Sequence, residues 1–192
     1  GFNRVFEVAR CFRNEGIDPS HLPDFTMVEF YAAYWNYADN MAFTEAMVKS
    51  LVETVAGGTT VRYGTSEVDF GGSWPRHSFR ELIQRDSGID IRAFPTADAL
   101  REELRRRDLL LREDPNLTGA GYGSLVDALY KKVSRPKLVD PAFVIEHPID
   151  ISPLARRNDE NPSVVDRFQL VVNGWEVVNA YSELIDPVDQ RE

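Results

Sequence analysis

Apolar and polar positions mix at strand-like spacing from Arg4 to Arg13, and a second stretch rich in aromatics runs from Phe25 to Tyr37. Aromatic and β-branched residues fit a pleated, half-buried strand. Between the two lies Asn14 to Asp24, too long for a tight hairpin and full of turn formers. The pattern predicts two antiparallel strands joined by a large loop. Phe43, Met47, Leu51 and Val55 then recur every four residues up to Gly57-Gly58. That spacing predicts an amphipathic helix packing this stripe on a sheet and ending at the glycines. A short hairpin is expected from Thr60 to Phe70, and Ser78-Phe79-Arg80-Glu81 has the capping-box layout of a helix start.

From Asp86 to Asn116 the composition shifts to charged helix formers, which predicts a helical insertion over about 86–116. Another helix is expected to start at Ser124-Leu125-Val126-Asp127, with Gly119 to Gly123 as a flexible lead. Ala142 to Ile145 reads as a strand, and Arg167 to Glu183 as two long strands turning at Asn173-Gly174. Asp186 to Glu192 reads as a helix start with Pro187 at its first position. Strands follow strands without alternating helices, so the fold class is α+β, an antiparallel sheet flanked by helices.

The 192 residues, 43% hydrophobic and 28% charged, suit one folded domain. No apolar run approaches the roughly 18 residues of a membrane span, and Gly1-Phe2-Asn3-Arg4 lacks a signal-peptide layout, which predicts a cytoplasmic protein with no membrane partner. Cys11 is the single cysteine, so no internal disulfide framework is possible. A net charge of -9 argues against coating nucleic acid, and confines any such contact to a local patch. The chain opens without Met in strand-like sequence and closes on a helix start, so it reads as a fragment of something longer.

Candidate chemistry follows from parity. Side chains alternate along a strand, so Val5, Glu7, Ala9, Cys11 and Arg13 share one face, as do Phe25, Met27, Glu29 and Tyr31. If the strands pair across the loop, Arg13 and Glu29 fall on the same side. Asn179, Tyr181 and Glu183 are again spaced by two. Buried charges must be paired to be tolerated, so such a face suits a pocket floor better than a core. The same alternation also fits the solvent side of a half-exposed antiparallel sheet, and the pattern alone leaves both open.

Phe2 to Val8, Phe12-Arg13-Asn14-Glu15-Gly16, His21, Pro23 to Met27, Glu29 and Tyr31 resemble the second signature motif of class II aminoacyl-tRNA synthetases in its lysine-specific form. Ile151-Ser152-Pro153-Leu154-Ala155-Arg156-Arg157-Asn158 resembles a segment typical of the lysyl enzymes, and Arg167-Phe168, Gly174, Glu176, Asn179 to Leu184 and Asp186-Pro187 resemble the strands before the third motif. The resemblance covers nearly the whole chain in order. It implies a catalytic domain with a six-stranded antiparallel sheet, whose anticodon-binding domain and third motif fall outside this chain. The fragment alone is then expected to be poorly active, and the full-length protein to be a homodimer.

The implied activity is ATP-dependent activation of L-lysine to lysyl-adenylate and its transfer to tRNA(Lys), with Mg²⁺ as cofactor. The resemblance gives Arg13 the α-phosphate and the substrate carboxylate, Glu15 the adenine, His21 the outer phosphates and Phe25 the stacked adenine. Asn179 is assigned to both the ATP and the lysine sites. Glu29, Tyr31, Tyr181 and Glu183 complete the amino-acid pocket, whose two carboxylates and phenol suit an ammonium side chain. Arg13, Glu29 and Glu183 are expected to converge on one concavity.

Of two acidic positions implied for Mg²⁺, Glu176 matches one, whereas Gln169 occupies the other and removes a charge. Leu22 also stands where a polar Asn is expected. Two rivals follow: a paralogue joining a lysine-like amino acid to a protein such as a translation elongation factor, and a non-catalytic ligand-binding remnant. The arginines between Arg101 and Arg107 read as a salt-bridged surface helix, with tRNA contact the alternative. His77 and His147 are isolated in the sequence and read as structural or solvated.

Overall fold

The computed structural model describes residues 1–14, 17, 21–109 and 119–191. Two compact units divide the chain, Gly1–Asn36 and Tyr37–Glu192.

The first unit is a hairpin of β1 (Arg4–Phe12) and β2 (Asp24–Ala32), paired antiparallel from Arg4 opposite Ala32 to Phe12 opposite Asp24. Two further backbone bonds extend the ladder, Arg13 N–H to the Pro23 carbonyl and Ala33 N–H to the Asn3 carbonyl, both 2.8 Å. Glu15 and most of the rest of the connecting loop lie outside the described residues.

The second unit begins with α1 (Tyr37–Ala56), followed by a hairpin of β3 (Thr60–Tyr63) and β4 (Ser66–Asp69). A four-stranded sheet then forms in the order β5 (Arg76–Ser78), β6 (Ala142–Pro148), β7 (Val164–Val172), β8 (Trp175–Tyr181). Its last three strands are antiparallel, whereas β5 runs parallel to β6. An antiparallel sheet flanked by helices is what the sequence predicts, and among the described residues this sheet has four strands, one pair of them parallel. The three residues of β5 carry too little pattern to be read as a strand. Asn173 and Gly174 both have positive φ, 48° and 76°, as the two-residue turn between β7 and β8 requires.

Each side of this sheet is covered. On one side Phe143, Phe168 and Leu170 pack with Met41 and Trp74, with Tyr37, Val48, Val178 and Ala180 at the edge. The α1 stripe that meets the sheet is therefore Tyr37, Met41, Thr44 and Val48, not the predicted one: Phe43, Leu51 and Val55 are 41, 56 and 84% exposed. The two stripes are offset by only about a fifth of a turn, and apolar spacing alone cannot rank a stripe containing Thr44 above one containing Phe43 and Leu51.

On the other side Ala142, Val144 and Val171 pack with α2 (Phe79–Ser87), α3 (Ala97–Arg106) and α4 (Tyr122–Val133) through Phe79, Ile83, Leu100, Leu104, Leu125 and Tyr130. The charged segment thus shares its core with the sheet. Ser78 does stand at the start of α2, but its side chain makes no capping bond, and the left-handed Gly88 closes the helix. Asp186 accepts from the Val188 and Asp189 amides, yet the chain then forms only a 3-10 turn, Asp189–Arg191, and not a longer helix among the described residues.

The predicted glycine lead before Ser124 is shorter than expected, because α4 starts at Tyr122 with Gly121 as its N-cap. Gly123 lies inside the first turn, where a Cβ would sit 2.6 Å from the Asp150 carbonyl oxygen. Backbone cannot yield as a flexible side chain can, so Gly123→Ala is expected to destabilise the fold by roughly 1–3 kcal/mol. A urea-denaturation midpoint unchanged from wild type would contradict this close approach.

Candidate active site

The β1–β2 register puts Cys11 opposite Phe25, Ala9 opposite Met27, Glu7 opposite Glu29 and Val5 opposite Tyr31. Directly paired residues lie on one face, so the parity reading holds within the hairpin. At one end of this face the Arg13 guanidinium carbon stands 5.3 Å from the Phe25 ring centroid, a cation–π contact. Toward the other end the Tyr31 hydroxyl donates to the Glu29 carboxylate. Glu29 and Phe25 are four residues apart, about 13 Å along the strand. The hairpin therefore separates a cation stacked on a ring from a carboxylate-and-phenol cluster. His21 is exposed beyond the start of β2.

In the second unit the remaining candidates gather on the side of the sheet that faces α2 and α4. Gln169 pairs with Asn179 and Arg167 with Tyr181 across β7 and β8. Glu176 is three residues from Asn179, and strict alternation would point the two to opposite faces. Leu170 instead pairs with Val178 and Val171 with Glu176, so Val177 is an extra residue. This bulge brings Glu176 to the Asn179 side, where the Gln169 side-chain amide donates to its carboxylate. Burial raises the Glu176 carboxyl above its ordinary value, and the nearby Arg167 charge opposes the rise.

Sequence reasoning missed the part played by Arg167. Its Nη1 donates to the Ile151 carbonyl and to Ser152 Oγ, each 2.9 Å away, and its Nε donates to Asn179 Oδ1, also at 2.9 Å. Burial lowers its basicity, while Glu176 favours the charged form. The segment that supplies two of these acceptors is itself stitched in. Arg156 N–H bonds to the Ser182 carbonyl at 2.8 Å, Asp166 N–H to the Arg156 carbonyl at 2.9 Å, and Leu184 N–H to the Leu154 carbonyl at 3.1 Å. Ala155 bridges Glu183 just beyond β8, and this backbone pairing fixes Glu183 beside the segment.

His147 is the second residue missed. The register shifts between Ile145 and His147, two steps on β6 against three on β7, and Glu146 takes φ 56°; this irregularity turns His147 to the helix side. There it is fully buried, with its ring 5.2 Å from that of Phe79. It lines a cavity of about 290 Å³ with Phe79, Ser124, Asp127, Arg167 and Gln169. Burial first, and Arg167 second, push its pKa down to about 3. Hydrogen bonding from the Gln169 side chain and the Arg167 backbone opposes that fall in part. A lone histidine in sequence carries no sign of this; the signal lies in the bulge.

Mg²⁺ takes oxygen ligands and is commonly held by one or two carboxylates together with substrate phosphates. Glu176 supplies one such carboxylate. Gln169 commits its amide nitrogen to Glu176, and its oxygen is buried. Those residues hold no cluster of three or more His, Cys, Asp or Glu able to bind a metal. Such a donor set fits a cation carried mainly by phosphate better than one caged by protein.

Away from these residues, Glu103 on α3 receives both Arg106, at 2.7 Å, and Arg107, and their hydrogen bonds hold its carboxyl down to about 2. Arg101 pairs with Asp98 at 2.6 Å. The paired-surface reading of this helix accounts for these arginines. No helix among the described residues is long and apolar enough to cross a membrane.

Comparison with known proteins adds the family. The family described as tRNA synthetases class II (D, K and N) matches residues 1–192. Similar proteins include lysine–tRNA ligases of Dehalococcoides mccartyi strain CBDB1, 44% identical over 191 residues, Synechococcus sp. strain CC9311, 41% over 191, and Roseiflexus castenholzii, 41% over 192. All of this chain is covered in each alignment, but only 37–38% of each relative.

The buried neutral imidazole sets a pH signature. His147 must gain a proton on unfolding at any pH between its unfolded value near 6.5 and its folded value of about 3. Its contribution to stability is complete above pH 6.5 and is lost at up to about 1.4 kcal/mol per pH unit as the pH falls through that window. His147→Phe is expected to flatten the dependence of the unfolding free energy on pH between 6.5 and 4 relative to wild type. Parallel curves for the two proteins would refute a depressed His147.

Proposed function

This chain belongs to the class II tRNA synthetases (D, K and N), and on that premise we propose that it is part of the catalytic domain of a lysine–tRNA ligase. The observation that carries the reading is the polarised hairpin face, with Arg13 over Phe25 at one end and Tyr31 bonded to Glu29 toward the other. An amino acid bearing a cationic side chain needs carboxylates for its ammonium and a cation for its carboxylate, and this face offers both chemistries. The lysine–tRNA ligase relatives support the same substrate.

In the proposed reaction a lysine carboxylate oxygen attacks the α-phosphorus of ATP. The bond from that phosphorus to the bridging oxygen breaks, and pyrophosphate leaves. A terminal ribose hydroxyl of tRNA(Lys) then attacks the lysyl carbonyl carbon, loses its proton, and AMP departs. Arg13 holds the α-phosphate and the lysine carboxylate, since its rigid fork can meet oxygens of both and the charge that grows on the phosphorus. Phe25 stacks the adenine, Glu15 contacts it, and His21 meets the outer phosphates. Glu29, Tyr31 and Glu183 take the ammonium groups, with Asn179 and Tyr181 completing the lysine pocket.

When bound, Mg²⁺ would neutralise phosphate charge beside Glu176. Gln169 orients that carboxylate and is not itself assigned as a ligand. Catalysis rests on positioning and charge neutralisation, with no covalent enzyme intermediate. The full-length protein is proposed to act as a cytoplasmic homodimer.

The reading is tested in the full-length protein by lysine-dependent ATP–pyrophosphate exchange. Glu29→Gln and Glu183→Gln, made singly, are each expected to lower kcat/KM for lysine by about ten- to a hundredfold, the worth of one hydrogen bond to a charged group, with the KM for ATP little changed. Lysine kinetics unaffected by both substitutions would reject the assignment.

A further inference from the structure

The guanidinium of Arg167 is enclosed by three hydrogen bonds, and all their acceptors are neutral: the Ile151 carbonyl, Ser152 Oγ and Asn179 Oδ1, each at 2.9 Å. A partly buried cation held by neutral acceptors gains less stability than one paired with a carboxylate, so its placement points to a role beyond holding the fold. The bond to Asn179 has a further consequence. Arginine has donors and no acceptor, so the Asn179 amide must present its oxygen to Arg167. Its Nδ2, carrying two donor hydrogens, is the end left for a ligand, and Asn179 is an exposed residue. Ser152 is buried and cannot swing away, so the clamp is rigid on the side opposite Asn179.

We propose that Arg167, braced by Ile151 and Ser152, is a positioning residue that locks the Asn179 amide with its nitrogen outward, as a donor to an anionic oxygen of a substrate. This rests on the reading of Asn179 as a substrate-binding residue. Two substrates carry such an oxygen, lysine in its carboxylate and ATP in its phosphates. The buried positive charge behind the amide favours either over a cationic group. The clamp also explains why the Ile151 to Asn158 segment crosses the sheet end here. Its first two residues aim Arg167, and the backbone bonds of Leu154 and Arg156 fasten it to the end of β8.

The test uses the full-length protein with Arg167→Lys, Ser152→Ala and Asn179→Ala, each titrated calorimetrically with lysine, with lysinol, which has an alcohol in place of the carboxylate, and with a non-hydrolysable ATP analogue. A lysine side chain cannot bridge three acceptors as the guanidinium does. Arg167→Lys is expected to weaken the anionic ligand about tenfold or more, with Ser152→Ala following in the same direction by a smaller factor. Selective loss of lysine binding with lysinol binding retained identifies the carboxylate, and selective loss of the ATP analogue identifies a phosphate; either supports the clamp. Equal weakening of lysine and lysinol, or no weakening of any ligand in Arg167→Lys and Ser152→Ala while Asn179→Ala does weaken one, overturns it. Unchanged binding in Asn179→Ala refutes the underlying reading of Asn179 and the clamp with it.

Discussion

Arg167 carries a full charge beneath β7, and three separate stretches of chain supply what lets it stay there. One is the Ile151-Ser152 turn, another is β8 through Asn179, and the third is β7 itself, which carries the arginine. Removing an acceptor on the Ile151-Ser152 side would leave a partly buried donor unsatisfied, which costs more than the bond contributes when made. The sheet, the segment that crosses its end and the cavity wall are therefore constrained together. Glu183 owes its place to the same arrangement, because its backbone pairs with Ala155 only while that segment stays put.

The second unit distributes its chemistry unevenly between the two sides of one sheet. Aromatic contacts fill the α1 side, where Phe143 and Phe168 meet edge to face at 5.4 Å. The opposite side mixes an aliphatic core under α2, α3 and α4 with Arg167, Gln169, Glu176 and His147. Polar groups tolerate that position because the helices leave a cavity beside them, lined by His147, Arg167 and Gln169 among others. The Gln169 amide and the neutral imidazole of His147 face each other there from neighbouring strands.

Much of this was legible in the chain. The strand alternation of β1 and β2, the Asn173-Gly174 turn and the helix start at Phe79 follow from local rules, and the shared face of Arg13, Phe25, Glu29 and Tyr31 needed only parity. Parity failed where the register shifts. The left-handed Glu146 and the extra Val177 each break the alternation, and without coordinates His147 and Glu176 would be assigned to the wrong sides. The α1 stripe failed for a different reason: Thr44 is buried and Phe43 is not, so hydrophobic content pointed to the wrong face. The role of Arg167 was hidden because its partners lie 12 to 16 positions away in sequence, at no regular spacing.

The Val177 bulge has a bearing on how such a sequence can drift. Val177 itself is 53% exposed, so its identity is free to vary with little cost to the core. Its loss would also leave its neighbours in place, because Glu176 and Val178 pair with adjacent residues of β7 and already face opposite sides, as consecutive strand residues do. A one-residue gap at this point of β8 should therefore be tolerated among functional relatives, whereas a one-residue insertion beside it would turn part of the strand over.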